Sequence, residues 1–180
     1  MQKEIIIAGF GGQGVLFGGQ VLAYAAMDVG KEVTWIPSYG PEMRGGTANC
    51  TVVIADEEIG SPLVEHPSLG IALNLPSFDK YEELLVKDGT LVVNKSMVDR
   101  GARRTDIRIL FVPCNQIAEE IGARKLLNMV AVGALLAALP EIGLREMERA
   151  LENHIPARHK ELLPRNIEAL RRGHDHALAQ

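Results

Sequence analysis

A short apolar run that ends in a cluster of glycines constrains the fold of this chain more than any other feature. Residues 5–8 read Ile-Ile-Ile-Ala, and Gly-Phe-Gly-Gly-Gln-Gly follows at positions 9–14. An unbroken apolar run of this length is typical of a strand buried on both faces of a parallel sheet. Residues 15–29 then predict a helix, because their apolar side chains fall largely on one side and Gly30 follows as a stop signal. The chain therefore begins with a strand, a tight turn and a helix.

The remaining residues continue this alternation. Further strands are predicted at residues 33–36, 50–55, 69–75, 90–94 and 107–112, and further helices at 78–86, 116–121, 125–139, 144–153 and 157–172. Strands that alternate with helices indicate a three-layer α/β/α fold, Rossmann-like, with a mostly parallel sheet. Residues 37–49 are too few for a helical crossover, so the third strand could run antiparallel to the second. We expect a single domain over residues 1–173 and a flexible tail over residues 174–180.

Two glycines inside the first predicted helix need an explanation. Gly18 and Gly19 each weaken the helix by roughly 1 kcal/mol relative to alanine. The most economical reason for both is that the helix passes very close to a neighbouring backbone.

Composition excludes several classes of partner and cofactor. The formal net charge is −4, which gives no electrostatic reason to expect nucleic acid or an anionic membrane as partner. The two cysteines, Cys50 and Cys114, lie far apart, so this chain cannot supply the four thiolates of a [4Fe-4S] cluster by itself. No signal peptide is evident, and the longest apolar run, 129–140, is too short to span a bilayer. These features predict a cytoplasmic protein.

The glycine-rich turn fits a phosphate-binding motif in part. Gly9, Gly11 and Gly14 satisfy G-x-G-x-x-G between a strand and a helix, where backbone N–H groups can approach an anion. A dinucleotide fold also needs a carboxylate at the end of the second strand, but residues 34–38 read Thr-Trp-Ile-Pro-Ser. Two interpretations remain open: a tight turn packed against another element or another chain, and a site for a phosphate-bearing ligand. A dinucleotide is the least supported ligand.

A second glycine-rich segment follows the second strand. Residues 39–46 read Tyr-Gly-Pro-Glu-Met-Arg-Gly-Gly, and in a parallel sheet they would lie at the same edge as the first turn. Arg44 could bind a phosphate or carboxylate through two parallel hydrogen bonds, and Gly45 and Gly46 permit close backbone approach. The alternative is a loop stiffened by prolines, in which Glu42 and Arg44 pair with each other or face solvent.

Other polar residues carry weaker signals. Asn128 begins an otherwise apolar helical stretch, as a helix-start or buried hydrogen-bonding amide or as a contact to a partner or ligand. A basic cluster at residues 100–108 is interpreted as a solvated or partner-facing surface. The histidines near the C-terminus have no companion ligands, and no serine has a histidine–carboxylate arrangement around it. We therefore expect no metal ligand and no catalytic residue in this chain.

The two glycine-rich segments together carry a resemblance. GFGGQGV at 9–15, YGPEMRGGTANC at 39–50, IGSP at 59–62, NMVAVGA at 128–134 and NIEALRRG at 166–173 resemble the gamma subunit of the 2-oxoacid:ferredoxin oxidoreductases. The similarity covers nearly the whole chain. The second segment looks more like the 2-oxoglutarate and branched-chain members than the pyruvate members. A gamma subunit need not touch the oxo acid, so this difference can follow ancestry rather than substrate.

The resemblance implies a function for a complex rather than for this chain alone. The family decarboxylates a 2-oxo acid on thiamine diphosphate with Mg²⁺, passes electrons through [4Fe-4S] clusters to ferredoxin, and transfers the acyl group to coenzyme A. The thiamine site lies between alpha and beta subunits, and the clusters sit on beta or delta subunits. This chain would be a structural and interface subunit near the coenzyme A site. Its cofactor-binding or interface residues would be Gly9, Gly11, Gly12, Gln13, Gly14, Tyr39, Glu42, Arg44, Gly45, Gly46 and Asn128.

Two rival interpretations are kept. The first is a stand-alone nucleotide-binding protein or NAD-dependent enzyme that uses Gly9, Gly11 and Gly14 to bind its ligand. The second is a free-standing scaffold protein that shares the fold of the family but not its function. The subunit interpretation predicts alpha, beta and delta partners and ferredoxin, and it leaves open a homodimer of the isolated chain.

Overall fold

The computed structural model describes residues 1–38 and 47–180 of the chain. Five of the candidate site residues lie outside the described residues: Tyr39, Glu42, Arg44, Gly45 and Gly46.

The described chain alternates strands and helices as the sequence predicts. The strands are β1 Gln2–Phe10, β2 Glu32–Ser38, β3 Thr47–Ala55, β4 Leu69–Ala72, β5 Thr90–Asn94 and β6 Arg108–Val112. The helices are α1 Val15–Asp28, α2 Leu75–Leu84, α3 Cys114–Glu120, α4 Leu127–Leu136, α5 Leu144–His154 and α6 Leu163–Leu178. Short 3₁₀ turns occupy Lys95–Met97, Arg124–Leu126 and Ala157–Leu162.

The strands form one sheet in the order β2-β3-β1-β4-β5-β6. β1, β4, β5 and β6 are mutually parallel, whereas β3 runs antiparallel to both of its neighbours. The prediction of a mostly parallel sheet with an antiparallel third strand is confirmed. Because β3 lies between β1 and β2, those two strands point the same way, and Phe10 at the end of β1 is paired with Thr47 at the start of β3.

Helices cover both faces of the sheet, as a three-layer fold requires. Alternate residues of β1 face opposite sides: Ile5 and Ile7 join a large core with α1, α3, α4, α5 and α6, whereas Ile6 and Ala8 join a smaller one with α2. β4 and β5 are buried along their whole length, which explains why neither strand alternates between apolar and polar residues. Among the described residues, no helix has the length and apolar character that a membrane span needs.

Gly18 and Gly19 allow α1 to pack closely, as predicted, but against side chains rather than backbone. A Cβ atom on Gly18 would lie 3.2 Å from Val132 Cγ2 of α4. A Cβ atom on Gly19 would overlap Cys50 Sγ and lie 3.1 Å from Trp35 Nε1. The glycines therefore make room for the side chains of β2, β3 and α4 beneath the helix.

A second close approach joins α4 to α6. A Cβ atom on Gly133 would overlap the backbone carbonyl of Leu170, and one on Gly173 would overlap the carbonyl of Val130. Each helix thus contributes a glycine at the point where the other helix's backbone crosses it. Both helices can approach more closely than side chains would allow, which completes the larger core.

Three boundaries differ from the sequence prediction for identifiable reasons. β4 ends at Ala72, and α2 begins at Leu75 because Asn74 Oδ1 accepts a hydrogen bond from Ser77 N–H at 2.9 Å. The helix predicted at 157–172 is instead a 3₁₀ turn followed by α6, since Pro164 has no N–H to donate to the preceding turn. Residues 174–178, expected to be a flexible tail, belong to α6, and Ala177 is buried.

The basic cluster at residues 100–108, expected to be a solvated or partner-facing surface, is not simply solvated, because Arg100, Arg103 and Arg104 all contact α2. Arg100 pairs with the buried Glu82 of α2 at 2.8 Å and stacks on Phe78, with its guanidinium carbon 3.8 Å from the ring centre. Glu82 also accepts hydrogen bonds from the backbone N–H groups of Arg103 at 2.5 Å and Arg104 at 3.2 Å. The Glu82 carboxylate therefore helps to hold the segment after β5 against α2.

Replacing Glu82 with glutamine is expected to lower the free energy of unfolding at neutral pH by about 2 kcal/mol, because Arg100 loses its buried counter-charge. Desolvation alone would raise the pKa of Glu82, but the two backbone N–H groups and Arg100 outweigh it and lower the pKa below its ordinary value of 4.5. The carboxylate's contribution is therefore complete above that value and is lost as the pH falls through the lowered pKa. Denaturant unfolding from pH 7 to pH 3 checks both points.

The exposed neighbour Glu83 provides the matched control. Glu83→Gln should leave the unfolding curve unchanged at neutral pH. Equal effects of the two substitutions would show that Glu82 contributes only through general surface charge.

Candidate functional site

The glycine-rich turn is closed by the backbone and side chain of one glutamine. Gln13 N–H donates to Phe10 O at 3.1 Å, and its side-chain Oε1 accepts from Phe10 N–H at 2.6 Å. Gly12 and Gly14 both have left-handed backbone angles, with φ of 92° and 76°. Gly14 is the residue that precedes the first turn of α1, and no side chain caps the start of that helix.

The glycines of the turn are needed for different reasons. A Cβ atom on Gly9 would lie 2.7 Å from Gln13 Oε1 and 2.9 Å from Leu73 Cβ, and one on Gly14 would lie 2.5 Å from Asn128 Nδ2. A Cβ atom on Gly12 would have no atom of the described residues within 4 Å. Packing among those residues therefore excludes side chains at Gly9 and Gly14, whereas at Gly12 they leave the left-handed backbone angle as the constraint.

Asn128 lies in the first turn of α4, and its side chain reaches the glycine-rich turn. Its Nδ2 donates to Gly14 O at 3.0 Å, and the residue is buried. The interpretation as a buried hydrogen-bonding amide is confirmed. Gly14 O also accepts from Gly18 N–H at 3.0 Å, so α4 and α1 both fix the end of the turn.

Asn128→Asp is expected to lower the free energy of unfolding by about 2 kcal/mol, because a carboxylate cannot donate to Gly14 O and would be buried beside it. Thermal unfolding of the full chain at pH 7 checks this. Asn153→Asp, at an exposed position of α5, is the matched control and should have little effect. Equal shifts for the two variants would contradict a role for the Asn128 amide in holding the turn.

Two cavities flank the turn. One, of about 290 Å³, lies at the start of α1 and is lined by Phe10, Gly11, Gly12, Val15, Leu16 and Ala48, among others. The other, of about 220 Å³, lies on the opposite side of Gly14 and is lined by residues that include Phe17, Lys125, Asn128, His159 and Asn166. Gly14 and Phe17 border both cavities. The first is bordered by the exposed Gly11 and Gly12, where backbone N–H groups and a helix start favour an anion.

The second glycine-rich segment is anchored at the same edge of the sheet. Ser38 at the end of β2 is paired with Asn49 of β3, and Asn49 is paired with Ala8 of β1. Thr47 is paired with Phe10, directly before the turn. The two strands that border residues 39–46 therefore end beside the glycine-rich turn, although Tyr39, Glu42, Arg44, Gly45 and Gly46 themselves lie outside the described residues.

The sheet order argues against a dinucleotide site. In a dinucleotide fold the strand after the first helix lies next to β1, and its end carries the carboxylate that binds the ribose. Here β3 is inserted, so the end of β2 lies two strand spacings, about 9.6 Å, from β1. The last residues of β2 also contain no carboxylate. Neither the position nor the residue type suits a ribose.

The two thiols are in environments that keep them protonated. Burial raises the pKa of Cys50 to about 12 and also raises the pKa of Cys114. Neither is therefore a thiolate, the form that binds a metal or a cluster, at neutral pH. Across residues 1–38 and 47–180, no three histidine, cysteine, aspartate or glutamate side chains come together as a metal site would require.

Sequence reasoning identified Gln13 as a site residue, but it missed Asn94 and the amide contacts that connect the turn to the rest of the sheet edge. Gln13 Nε2 donates to Leu73 O after β4 at 3.4 Å, and Asn94 Nδ2 at the end of β5 donates to the same oxygen at 3.2 Å. Asn94 Nδ2 also donates to Asn115 Oδ1 at 2.8 Å. A signal was present, because Asn74 and Asn94 stand at or just after the carboxyl ends of neighbouring strands.

Comparison with known proteins identifies the family. The profile described as "Pyruvate ferredoxin/flavodoxin oxidoreductase" matches residues 4–176. Ketoisovalerate oxidoreductase subunit VorA of Methanothermobacter marburgensis is 40% identical over 76% of this chain, which spans 28% of the length of VorA. 2-Oxoglutarate synthase subunit KorC of the same organism is 38% identical over 97% of this chain and 96% of KorC.

Solved structures agree with the sequence relatives. The keto/oxoacid ferredoxin oxidoreductase gamma subunit from Geobacter sulfurreducens has a TM-score of 0.86 and 28% identity, covering 99% of this chain and 98% of its own. The 2-oxoglutarate:ferredoxin oxidoreductase from Magnetococcus marinus, solved with 2-oxoglutarate, coenzyme A and succinyl-CoA bound, has a TM-score of 0.88 and 24% identity. This chain covers 31% of the Magnetococcus chain, and that likeness shows the fold alone.

These matches cover the chain almost from end to end and include relatives of the same length. The chain belongs to the pyruvate ferredoxin/flavodoxin oxidoreductase family, and over nearly its whole length it is homologous to gamma-type subunits of 2-oxoacid:ferredoxin oxidoreductases.

Proposed function

We propose that this chain is the gamma subunit of a thiamine-diphosphate-dependent enzyme that oxidatively decarboxylates 2-oxoglutarate. The reaction takes the oxo acid, coenzyme A and two oxidised ferredoxins to an acyl-coenzyme A, carbon dioxide, a proton and two reduced ferredoxins. The match to KorC over 96% of that subunit's length is the observation that carries this proposal. The chain acts as part of a cytoplasmic complex and is not catalytic alone.

The glycine-rich turn is the part of this chain that we assign to coenzyme A or to the interface beside it. Gly11 and Gly12 are exposed, no atom of residues 1–38 or 47–180 would lie within 4 Å of a Cβ atom on Gly12, and Gly14 has no side chain with which to cap the start of α1. These features suit the diphosphate of coenzyme A, whose thiol accepts the acyl group when it is bound. Asn128 supports the turn through Gly14 O.

Two further groups of residues complete the proposed site. Gly9 and Gln13 shape the turn from inside, as the hydrogen bond between Gln13 and Phe10 indicates. Tyr39, Glu42, Arg44, Gly45 and Gly46 belong to the segment whose flanking strands end at the same edge, and we propose that they contact coenzyme A or a partner subunit there.

The other cofactors are assigned to the partners. Thiamine diphosphate and Mg²⁺ would lie between the alpha and beta subunits, and [4Fe-4S] clusters on a beta or delta subunit. This division agrees with the number of cysteines in this chain, because two thiols cannot supply the four thiolates of a [4Fe-4S] cluster. Binding and positioning, rather than bond-making, are thus the tasks left to this subunit.

A branched-chain oxo acid is the second candidate substrate. The 40% identity to VorA favours it, although that match spans 28% of VorA. Subunits of 2-oxoglutarate and of branched-chain oxo acid enzymes both resemble this chain. This is expected if the gamma subunit binds coenzyme A, which all of these enzymes use, rather than the oxo acid, which differs between them.

Capture of the tagged chain from its native cytosol under anaerobic conditions tests the proposal. The captured material should contain thiamine diphosphate, iron and two or three additional subunits. It should reduce ferredoxin with coenzyme A and 2-oxoglutarate faster than with branched-chain oxo acids or pyruvate. Faster turnover of a branched-chain oxo acid would select the second candidate. A lone chain without thiamine diphosphate or activity would contradict the subunit assignment.

A further inference from the structure

A row of side-chain amide groups, from Gln13, Asn94 and Asn115, crosses the edge of the sheet where the glycine-rich turn lies. Leu73 O, just after β4, accepts from Gln13 Nε2 at 3.4 Å and from Asn94 Nδ2 at 3.2 Å. Leu73 N–H donates to Ala8 O of β1 at 2.8 Å, so this carbonyl is itself held in place. One carbonyl oxygen therefore connects the turn after β1 with the end of β5.

Asn94 extends the row to the last strand. It is fully buried, and its Nδ2 also donates to Asn115 Oδ1 at 2.8 Å. Its Oδ1 accepts from Cys114 N–H at 3.2 Å and from Ser96 N–H at 3.3 Å. The hydrogen bonds of this one side chain thus link the segments that follow β4, β5 and β6.

Gln13 uses both ends of its carboxamide inside this chain. Its Oε1 accepts from Phe10 N–H at 2.6 Å while its Nε2 points to Leu73 O. The polar atoms of the side chain face the inside of the turn, whereas Gly11 and Gly12 form its exposed side. Gln13 therefore shapes the turn from the side opposite to that open to a ligand.

We propose that Gln13 and Asn94 are positioning residues that hold the glycine-rich turn in its binding geometry before coenzyme A arrives. The inference rests on the proposed function of the turn. It gives Gln13 a supporting role rather than a binding one and adds Asn94, and neither side chain touches the ligand. A turn with glycines at three of four consecutive positions has many backbone conformations available, and ordering them at the moment of binding would weaken affinity. The row of amides removes that freedom in advance and fixes the turn relative to the ends of β4, β5 and β6.

Substitution of Gln13 in the assembled complex tests the proposal. Gln13→Met keeps the length of the side chain and removes both hydrogen bonds, so the dissociation constant for coenzyme A should rise by about tenfold. The kcat at saturating coenzyme A should stay within about twofold of wild type, because the reacting atoms are not touched. Hydrogen exchange at the Phe10 amide should be faster in the complex without coenzyme A.

A second variant and a control make the test independent of folding. Gln13→Glu keeps the acceptor for Phe10 N–H but loses the donor to Leu73 O, and it should also weaken coenzyme A binding if Gln13→Met does not assemble. Gln20→Met is the matched control, because Gln20 lies on α1 and its Nε2 donates to Tyr24 Oη of the same helix at 3.3 Å. Asn94→Asp, which removes the donor to Leu73 O from the other side, should reproduce the effect of Gln13→Met on affinity.

The outcomes separate this inference from the proposed function. If coenzyme A slows exchange at Gly11 and Gly12 in the wild-type complex, and Gln13→Met and Gln13→Glu bind it with unchanged affinity, the positioning role is wrong and the site assignment stands. If coenzyme A does not protect these amides in wild type, the assignment of the turn to coenzyme A is wrong and the inference falls with it. A loss of kcat with no change in affinity would likewise overturn the positioning role.

Discussion

Gly173→Ala is expected to lower the free energy of unfolding by about 3 kcal/mol, because the added methyl group would overlap the backbone carbonyl of Val130. A side chain could rotate away, but a carbonyl in the middle of α4 cannot, so the two helices must separate. For a domain of this size the midpoint of thermal unfolding should fall by roughly 6–12 °C. Calorimetry of the full chain measures both quantities.

Gly60 provides the control for this prediction. No atom of the residues that the structure describes would lie within 4 Å of a Cβ atom there, so Gly60→Ala should leave the midpoint nearly unchanged. Gly133→Ala should match Gly173→Ala, since it would overlap the carbonyl of Leu170 at the same crossing. A midpoint within about 2 °C of wild type for Gly173→Ala would mean that the two helices can separate at little cost.

Gly12→Asn is expected to leave the chain folded while weakening coenzyme A-dependent activity of the complex by about 100-fold at subsaturating coenzyme A. Asparagine tolerates left-handed backbone angles better than other side chains, and across the described part of the chain no atom would lie within 4 Å of its Cβ atom. Its side chain would, however, extend from the turn on the side that borders the cavity at the start of α1. The kcat/KM for coenzyme A and the unfolding midpoint are to be measured on the same preparation.

Gly30 offers a control with the same backbone geometry. It has φ of 79° and open space around its Cβ position, but it lies after the opposite end of α1. Gly30→Asn should change neither stability nor activity by much. Gly12→Val, by contrast, should disturb the turn itself, because a β-branched side chain is strained at φ of 92°. Full activity of Gly12→Asn would place coenzyme A away from this turn.

The alternation of strands and helices could be predicted because local patterns carry it. The apolar run before Gly9 identified β1, and the shortness of the segment between β2 and β3 identified the antiparallel pair. The start of α6 at Leu163 could also have been predicted, because Pro164 lies inside the longer helix that periodicity alone predicted, and proline is favoured in the first turn of a helix. The helical structure of residues 174–178 could not be predicted in this way, because the burial of Ala177 depends on elements that are distant in the sequence.

The site was predicted less completely, for a physical reason. Gly12 and Gly14 could be predicted as site residues because left-handed backbone angles favour glycine, which is visible in the sequence. Gln13 and Asn94 act on Leu73 O, a backbone atom that any residue would supply, so no residue type at position 73 signals the contact. The same holds for Gly133 and Gly173, whose partners are carbonyls. Contacts between a side chain and a distant backbone become visible only when the strands are placed side by side.

The antiparallel strand β3 has a consequence for how this subunit can diversify. With β2 it forms a hairpin whose legs are paired from Glu32 opposite Ala55 to Ser38 opposite Asn49. The glycine-rich turn belongs to a different connection, after β1, and its geometry is set by contacts with α4 and β4. Residues 39–46 connect the two legs of this hairpin, so they are attached to the sheet through a different connection from that of the glycine-rich turn. Selection for a new partner could therefore change this segment through substitutions that leave the residues fixing the turn unchanged.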